Sequence, residues 1–319
     1  MRFLRWIFPQ KERHNIDGRE VILLNRTELN FPSFLRDIIL HVCKAEQIAM
    51  HFSKLTFVLE SSNDMGPAEV RIPEFFSGKS IIHLNLRDMD LSAHYSRFYG
   101  YWGGVIIHEL THLLHELESN ISTQHFATFQ RLKTSLGRKK NQVSQDHAEL
   151  RTDLFTFVRL LFEEGVACYY EKIRSEEILF SEDFFNRSYL SSQTKMTSLV
   201  ELLHAREKAL LATKWREYSH GKKREKEITD LINQLQKLLF SEHFRVGEHM
   251  VYTIFFVDKE MSLQKMMNLR PFEFIKEYEQ CIENKDLQPV ISATSGKGIF
   301  DYKRVLQEWA ALGKELLKK

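Results

Sequence analysis

The sequence lacks the features that mark a secreted or membrane-spanning protein. It contains only three cysteines in 319 residues, and no two of them form a CxxC pair. An odd number of isolated cysteines indicates neither a disulfide framework nor a zinc knuckle. The N-terminal apolar patch is short and interrupted by Arg5, and no later apolar run is long enough to cross a bilayer. We therefore expect a soluble, cytoplasmic protein without a transmembrane segment.

The chain also lacks a strong charge of either sign. Its 45 lysines and arginines nearly balance its 43 aspartates and glutamates. A balanced charge gives no electrostatic reason to expect nucleic acid as a partner, and we expect none. The length is sufficient to bury a substantial core.

Prolines and glycines are few, at 6 and 13, so little interrupts helical periodicity. Short apolar runs predict strands at Glu20–Leu24, Leu55–Leu59 and Ile81–Leu86, with a helix at Phe31–Met50 after the first of them. From Trp102 onward helical periodicity dominates, over roughly 102–118, 123–136, 144–175, 193–217, 223–240, 247–280 and 299–318. The polar stretch Leu287–Gly298 is predicted to be a long loop. This order of elements predicts an α+β protein.

One predicted helix carries the pattern HExxH, as His108-Glu109-Leu110-Thr111-His112. Residues four apart on a helix lie one turn above each other, so both imidazoles can bind one Zn²⁺. Glu109 projects about 100° around the helix axis from His108, next to the open position of the metal. From there it can take a proton from zinc-bound water.

The neighbouring residues favour the metal-binding interpretation over two unrelated surface histidines. On a helical wheel His108 and His112 lie opposite a single apolar arc, which contains Ile106, Ile107, Leu110, Leu113, Leu114 and Leu117. The two histidines therefore face away from the core side of their helix. A catalytic zinc needs a third protein ligand as well.

A second motif follows 52 residues after His112, as Glu164-Gly165-Val166-Ala167 with Tyr169, Tyr170 and Glu171 behind it. Together the two motifs resemble the gluzincin class of zinc peptidases, in which a HELTH-like helix precedes a helix bearing Glu-Gly-x-Ala. The resemblance implies one zinc per chain, bound by His108, His112 and Glu164, with Glu109 as the general base.

The resemblance also implies an architecture and a substrate. It implies a small mixed N-terminal sheet with the zincin active-site helix, within residues 1–120, and a mainly helical part, residues 121–319, that carries the third ligand. The implied activity is hydrolysis of peptide bonds in a peptide or protein substrate. In proteins of this type a strand such as Ile81–Leu86 borders the cleft and pairs with an extended substrate. The alternative is that Ile81–Leu86 is an ordinary strand of the sheet.

The sequence departs from the pattern in ways that leave several roles open. Cys168 stands where such families often carry an acidic residue that orients a ligand histidine, and this role would pass to Glu171 or Asp153. Glu163 is the rival of Glu164 as ligand, although it points about 100° away on the same helix. His115 is interpreted as a residue at the rim of the site or as one that supports a ligand, rather than as a ligand itself.

The oxyanion-stabilising group is open too. His243, His249 and Tyr252 flank Gly247 in a region where families similar to this one often carry a Tyr-x-x-Gly element, but Phe244 stands at the position of that tyrosine.

Two other functional classes remain compatible with the sequence. The charged helices from Gln193 to Phe240 could form the binding face of a non-enzymatic helical interaction protein. Alternatively, the zinc site could hydrolyse a non-peptide amide. Metal content separates the first alternative from a peptidase, and a peptide-library assay separates the second.

Overall fold

The computed structural model describes residues 10–27, 31–63, 68–70, 80–85, 95–118, 156, 158–172, 244 and 246–282. These residues form a small mixed sheet and several helices, which confirms the α+β prediction at this level. The sheet has the strand order β1-β2-β3-β5-β4. Its strands are β1 (Gln10–Ile16), β2 (Arg19–Asn25), β3 (Lys54–Glu60), β4 (Ala68–Glu69) and β5 (Ile81–Asn85).

The central strands β2, β3 and β5 are parallel, and each flanking strand is antiparallel to its neighbour. Strand β1 was not predicted, because its charged sequence lacks the apolar character of a buried strand. The signal for it is the Asp17-Gly18 pair, whose φ angles of 50° and 83° are those of a two-residue hairpin turn. The charged side chains suit an edge strand, which must not pair with other chains.

Helix α1 (Ser33–Ala45) packs against strands β1 and β2 of the sheet. Its buried residues recur at helical spacing, and they are Leu35, Ile38, Ile39, Val42 and Cys43. The prediction of one helix over Phe31–Met50 was wrong at its C-terminal end. Glu46 adopts an extended conformation with φ −90° and ψ 127°, which ends α1, and a separate 3₁₀ helix follows at Gln47–His51.

Apolar residues are buried on both faces of the sheet, since Ile22 and Val58 are buried as well as the residues next to them in their strands. Leu23, Phe57 and Ile82 are successive cross-strand partners, so they point to the same face, and all are almost fully buried. Arg36 of α1 donates two hydrogen bonds to the Glu12 carboxylate, at 2.8 and 2.7 Å. These bonds lower the pKa of the Glu12 carboxyl group, and they connect the edge strand β1 to helix α1.

Helix α2 (Tyr95–Glu118) contains the HExxH motif and begins seven residues earlier than the predicted start at Trp102. It packs against α1, and a Cβ atom on Gly103 would make only an ordinary van der Waals contact there, 4.0 Å from Val42 Cγ2. Buried apolar side chains, among them Trp102, Ile106 and Leu110, form its inner face. The predicted apolar arc is therefore the packed side of the helix.

The remaining described helices are α3 (158–172), α4 (246–257), α5 (Leu263–Met267) and α6 (Pro271–Ile282). The prediction of one helix over 247–280 was wrong. The chain turns after α4, Ser262 caps α5 by accepting a hydrogen bond from the Lys265 amide, and Pro271 begins α6. Phe162 and Phe274 pack with ring centroids 5.0 Å apart.

The described residues form two compact units, the first comprising those up to 118 together with 167–172, and the second comprising 156, 158–166, 244 and 246–282. Helix α3 is continuous through the division. The domain boundary predicted at residues 120 and 121 lies outside the described residues and stays a prediction. The predicted helices 123–136, 193–217, 223–240 and 299–318 and the loop Leu287–Gly298 also lie outside them.

Candidate metal centre

Helix α2 brings the two histidines of the HExxH motif into contact. His108 Nε2 and His112 Nε2 lie 3.1 Å apart, and both rings are only partly exposed. Two nitrogens bound to one tetrahedral zinc at 2.0–2.1 Å would be about 3.3 Å apart. The separation of the imidazole nitrogens therefore fits a shared metal ion.

Helix α3 supplies a carboxylate to the same group. The ligand atoms of His108, His112 and Glu164 all lie within 4.8 Å of one another. Two imidazoles and one carboxylate are the ligand set of several zinc hydrolases, with a fourth position left for water or substrate. The predicted ligand residues are thus close enough together to hold one ion, although their role as ligands stays a prediction.

Glu163, the alternative ligand, points elsewhere. Its Oε2 lies 3.4 Å from Arg159 Nε, one turn earlier on α3. It belongs to no potential metal-binding group among the described residues. The rotation of α3 therefore favours Glu164.

Glu109 is the residue predicted to act as general base, and it is buried, with 8% of its surface exposed. Glu109 follows His108 directly in α2. In the same turn of the helix, Thr111 donates its hydroxyl hydrogen to the Ile107 carbonyl at 2.8 Å. A carboxylate held within a largely enclosed helix face suits proton transfer better than a solvated one.

The opposite nitrogen of His108 has its own carboxylate partner. His108 Nδ1 lies 3.1 Å from Glu171 Oε2. Glu171 is one of the two residues that the sequence offered for orienting a ligand histidine, and the other, Asp153, lies outside the described residues. His108, Cys168 and Glu171 also form a second group whose potential ligand atoms lie within 4.8 Å of one another.

Neither His115 nor His249 belongs to a potential metal-binding group among the described residues. His115 is buried, with 5% of its surface exposed. His249 is almost fully buried beside Tyr278, and burial lowers its pKa to about 3, so the ring stays neutral. Tyr252 is buried as well, and burial raises its pKa. His243 lies outside the described residues.

Strand β5, predicted to pair with substrate, is an internal strand. β3 pairs with it along one edge, and β4 pairs with it at His83 and Leu84 along the other. The β5 backbone is therefore not open to a substrate at these two residues. The prediction missed β4, which has only two residues and too little sequence to show an alternating pattern.

Comparison with protein-family models, with curated proteins and with solved structures gives no match. In the part of the chain that the structure describes, no helix combines the length and the apolar character needed to span a bilayer.

Proposed function

We propose that this chain is a zinc-dependent metallopeptidase of the gluzincin type. One observation carries the proposal: the ligand atoms of His108, His112 and Glu164 lie within 4.8 Å of one another. If the HExxH pattern had arisen by chance, there would be no reason for a carboxylate from a helix more than 50 residues away to lie beside its two histidines. The spacing of four residues between His108 and His112 and the position of Glu164 beside them are independent observations, and both favour binding of one metal ion by these three residues.

The proposed ion is Zn²⁺, one per chain, because zinc accepts a nitrogen and oxygen ligand set and needs no redox chemistry. When bound, it would polarise the scissile carbonyl group and make water more acidic. His108, His112 and Glu164 would hold it. No described residue is assigned as the group that stabilises the oxyanion.

The chain's own contribution to proton transfer is assigned to Glu109. Its carboxylate would accept a proton from the attacking water and pass it to the leaving amine nitrogen. Glu109 suits this role because its neighbour His108 would be a ligand, which keeps the carboxylate near the reacting atoms but outside the ligand set. Partial burial would limit competition from bulk water.

The test measures metal and turnover in the same preparations. Purified protein should contain about one zinc per chain by elemental analysis, and the His108→Ala/His112→Ala variant should contain none. A broad peptide library should be cleaved by the wild-type protein only, and a chelator should stop cleavage until zinc is restored. A wild-type protein without stoichiometric zinc would refute the proposal and favour the non-enzymatic interaction protein. Bound zinc with cleavage only of non-peptide amides would refute the peptidase assignment.

A further inference from the structure

The 3.1 Å contact between His108 Nδ1 and Glu171 Oε2 bears on where the proton of the His108 ring lies. A carboxylate only accepts hydrogen bonds, so a hydrogen bond at this contact requires the proton on His108 Nδ1. In a neutral imidazole the other nitrogen, Nε2, then carries a lone pair. Nε2 is the atom that faces His112 at 3.1 Å, and a metal ligand needs that lone pair.

Gly104 provides the space for this bond. It lies one turn before His108 on α2, and a Cβ atom there would be 3.0 Å from Glu171 Cγ and 3.7 Å from Glu171 Oε1. A methyl group at position 104 would therefore crowd Glu171 Cγ, whereas the Glu171 carbonyl oxygen, also 3.7 Å away, would be at ordinary van der Waals distance. The adjacent Gly103 differs, because its nearest contact would be Val42 Cγ2 at 4.0 Å.

We propose that Glu171 is a positioning residue that holds His108 in the Nδ1-protonated form, and that Gly104 is required so that Glu171 can reach it. The proposal rests on the proposed role of His108 as a zinc ligand. Cys168 takes the position at which an acidic residue would be expected, and in this chain the carboxylate comes from three residues further along α3, against a glycine on α2. Such carboxylate partners orient a ligand imidazole and increase its basicity.

The tautomer can be measured without metal or activity. In metal-free wild-type protein, ¹⁵N-detected NMR of the His108 ring should show the proton on Nδ1. Glu171→Ala should shift His108 toward the Nε2-protonated form. Glu171→Gln should give a mixture, because the amide can either accept a proton from Nδ1 or donate one to it. A His108 tautomer that is the same in all three proteins would overturn the proposal.

Zinc affinity, measured by chelator competition, gives the second readout. Glu171→Ala should weaken zinc binding by about 10–100-fold, which is the usual effect of losing such a partner. Gly104→Ala should weaken it in the same direction, whereas Gly103→Ala, the matched control, should not. In the Glu171→Ala background, adding Gly104→Ala should cause no further loss, because both changes act on one hydrogen bond. Additive losses would contradict a shared mechanism.

A variant of Cys168 tests the second potential metal-binding group. Cys168→Ser should leave zinc affinity unchanged, and a loss as large as that of Glu171→Ala would mean that the His108, Cys168 and Glu171 group binds the ion instead. Circular dichroism and thermal melting of each variant separate local effects from unfolding.

If wild-type protein binds no zinc while the His108 tautomer still depends on Glu171, the proposed function fails but the tautomer assignment stands. If zinc binds through His108 and His112 and neither Glu171 nor Gly104 affects it, the positioning role fails alone.

Discussion

Gly165 and Gly247 bring helices α3 and α4 into direct backbone contact. A Cβ atom on Gly165 would lie 2.8 Å from Gly247 Cα, and a Cβ atom on Gly247 would lie 3.0 Å from Gly165 Cα and 2.9 Å from the Leu161 carbonyl carbon. Cβ atoms at these distances would overlap with backbone atoms, so the backbone would have to move to accommodate them. The contact lies one residue from Glu164, so it fixes the rotation of the helix that carries the proposed ligand.

We expect Gly247→Ala to destabilise the protein by about 1–3 kcal/mol or more, because the added methyl group meets backbone atoms that cannot rotate away. Gly103→Ala is the control, since its methyl group would enter ordinary van der Waals contact and should be neutral or stabilising by up to about 1 kcal/mol. Urea denaturation measures both. Equal stabilities would show that α3 and α4 do not pack as closely as described.

Glu164→Gln should weaken zinc binding by more than about 100-fold, beyond the losses typical of residues that only orient a ligand. Glu163→Gln should leave zinc binding unchanged, because Glu163 lies 3.4 Å from Arg159 instead. Competition with a chelator of known affinity compares the two variants. The opposite ranking would move the third ligand to Glu163.

Glu109→Gln should keep both zinc and fold while hydrolysis falls by about 10²–10⁴-fold, which is the usual contribution of a general base. The amide has nearly the same shape as the carboxylate but cannot accept the proton. Zinc content, melting temperature and peptide turnover are measured in parallel with the wild-type protein. Undiminished turnover would remove Glu109 from the mechanism.

Acid should destabilise the protein through His249. Burial lowers its pKa from 6.5 to about 3 in the folded protein, so the ring is neutral there, whereas the unfolded chain binds a proton below about pH 6.5. The stability that this group contributes is therefore present above pH 6.5 and is lost as the pH falls toward 3. The slope approaches about 1.4 kcal/mol per pH unit.

The check is the free energy of unfolding in urea at several pH values between 7 and 4. His249→Leu should be less dependent on pH than the wild-type protein, whereas His51→Gln, at an exposed position, should not differ. Identical slopes for His249→Leu and the wild-type protein would mean that this ring is not buried in its neutral form.

Much of the fold follows from local sequence. The apolar run around Leu23 and the one around Phe57 became neighbouring strands, because short β-branched and leucine-rich runs suit a buried parallel sheet. The prediction from sequence missed strand β1, because an edge strand needs no apolar pattern. The Asp17-Gly18 pair is typical of a hairpin turn and could have indicated the strand. The ends of α1 after Ala45 and of α4 were also missed. Hydrophobic periodicity alone does not detect a single extended residue or a capped turn between two helices.

The sequence by itself determined the pairing of His108 with His112 and the placement of Glu109 between them. Helical geometry sets those relationships whatever else the chain does, since four residues make about one turn. Only the tertiary structure decided which carboxylates lie beside the histidines. The resemblance implied Glu164 as the third ligand and left Glu163 as its rival, and residue type alone does not separate these two glutamates. The choice depends on the rotation of α3, which contacts with residues distant in sequence impose: Gly247 against Gly165, and Gly104 against Glu171.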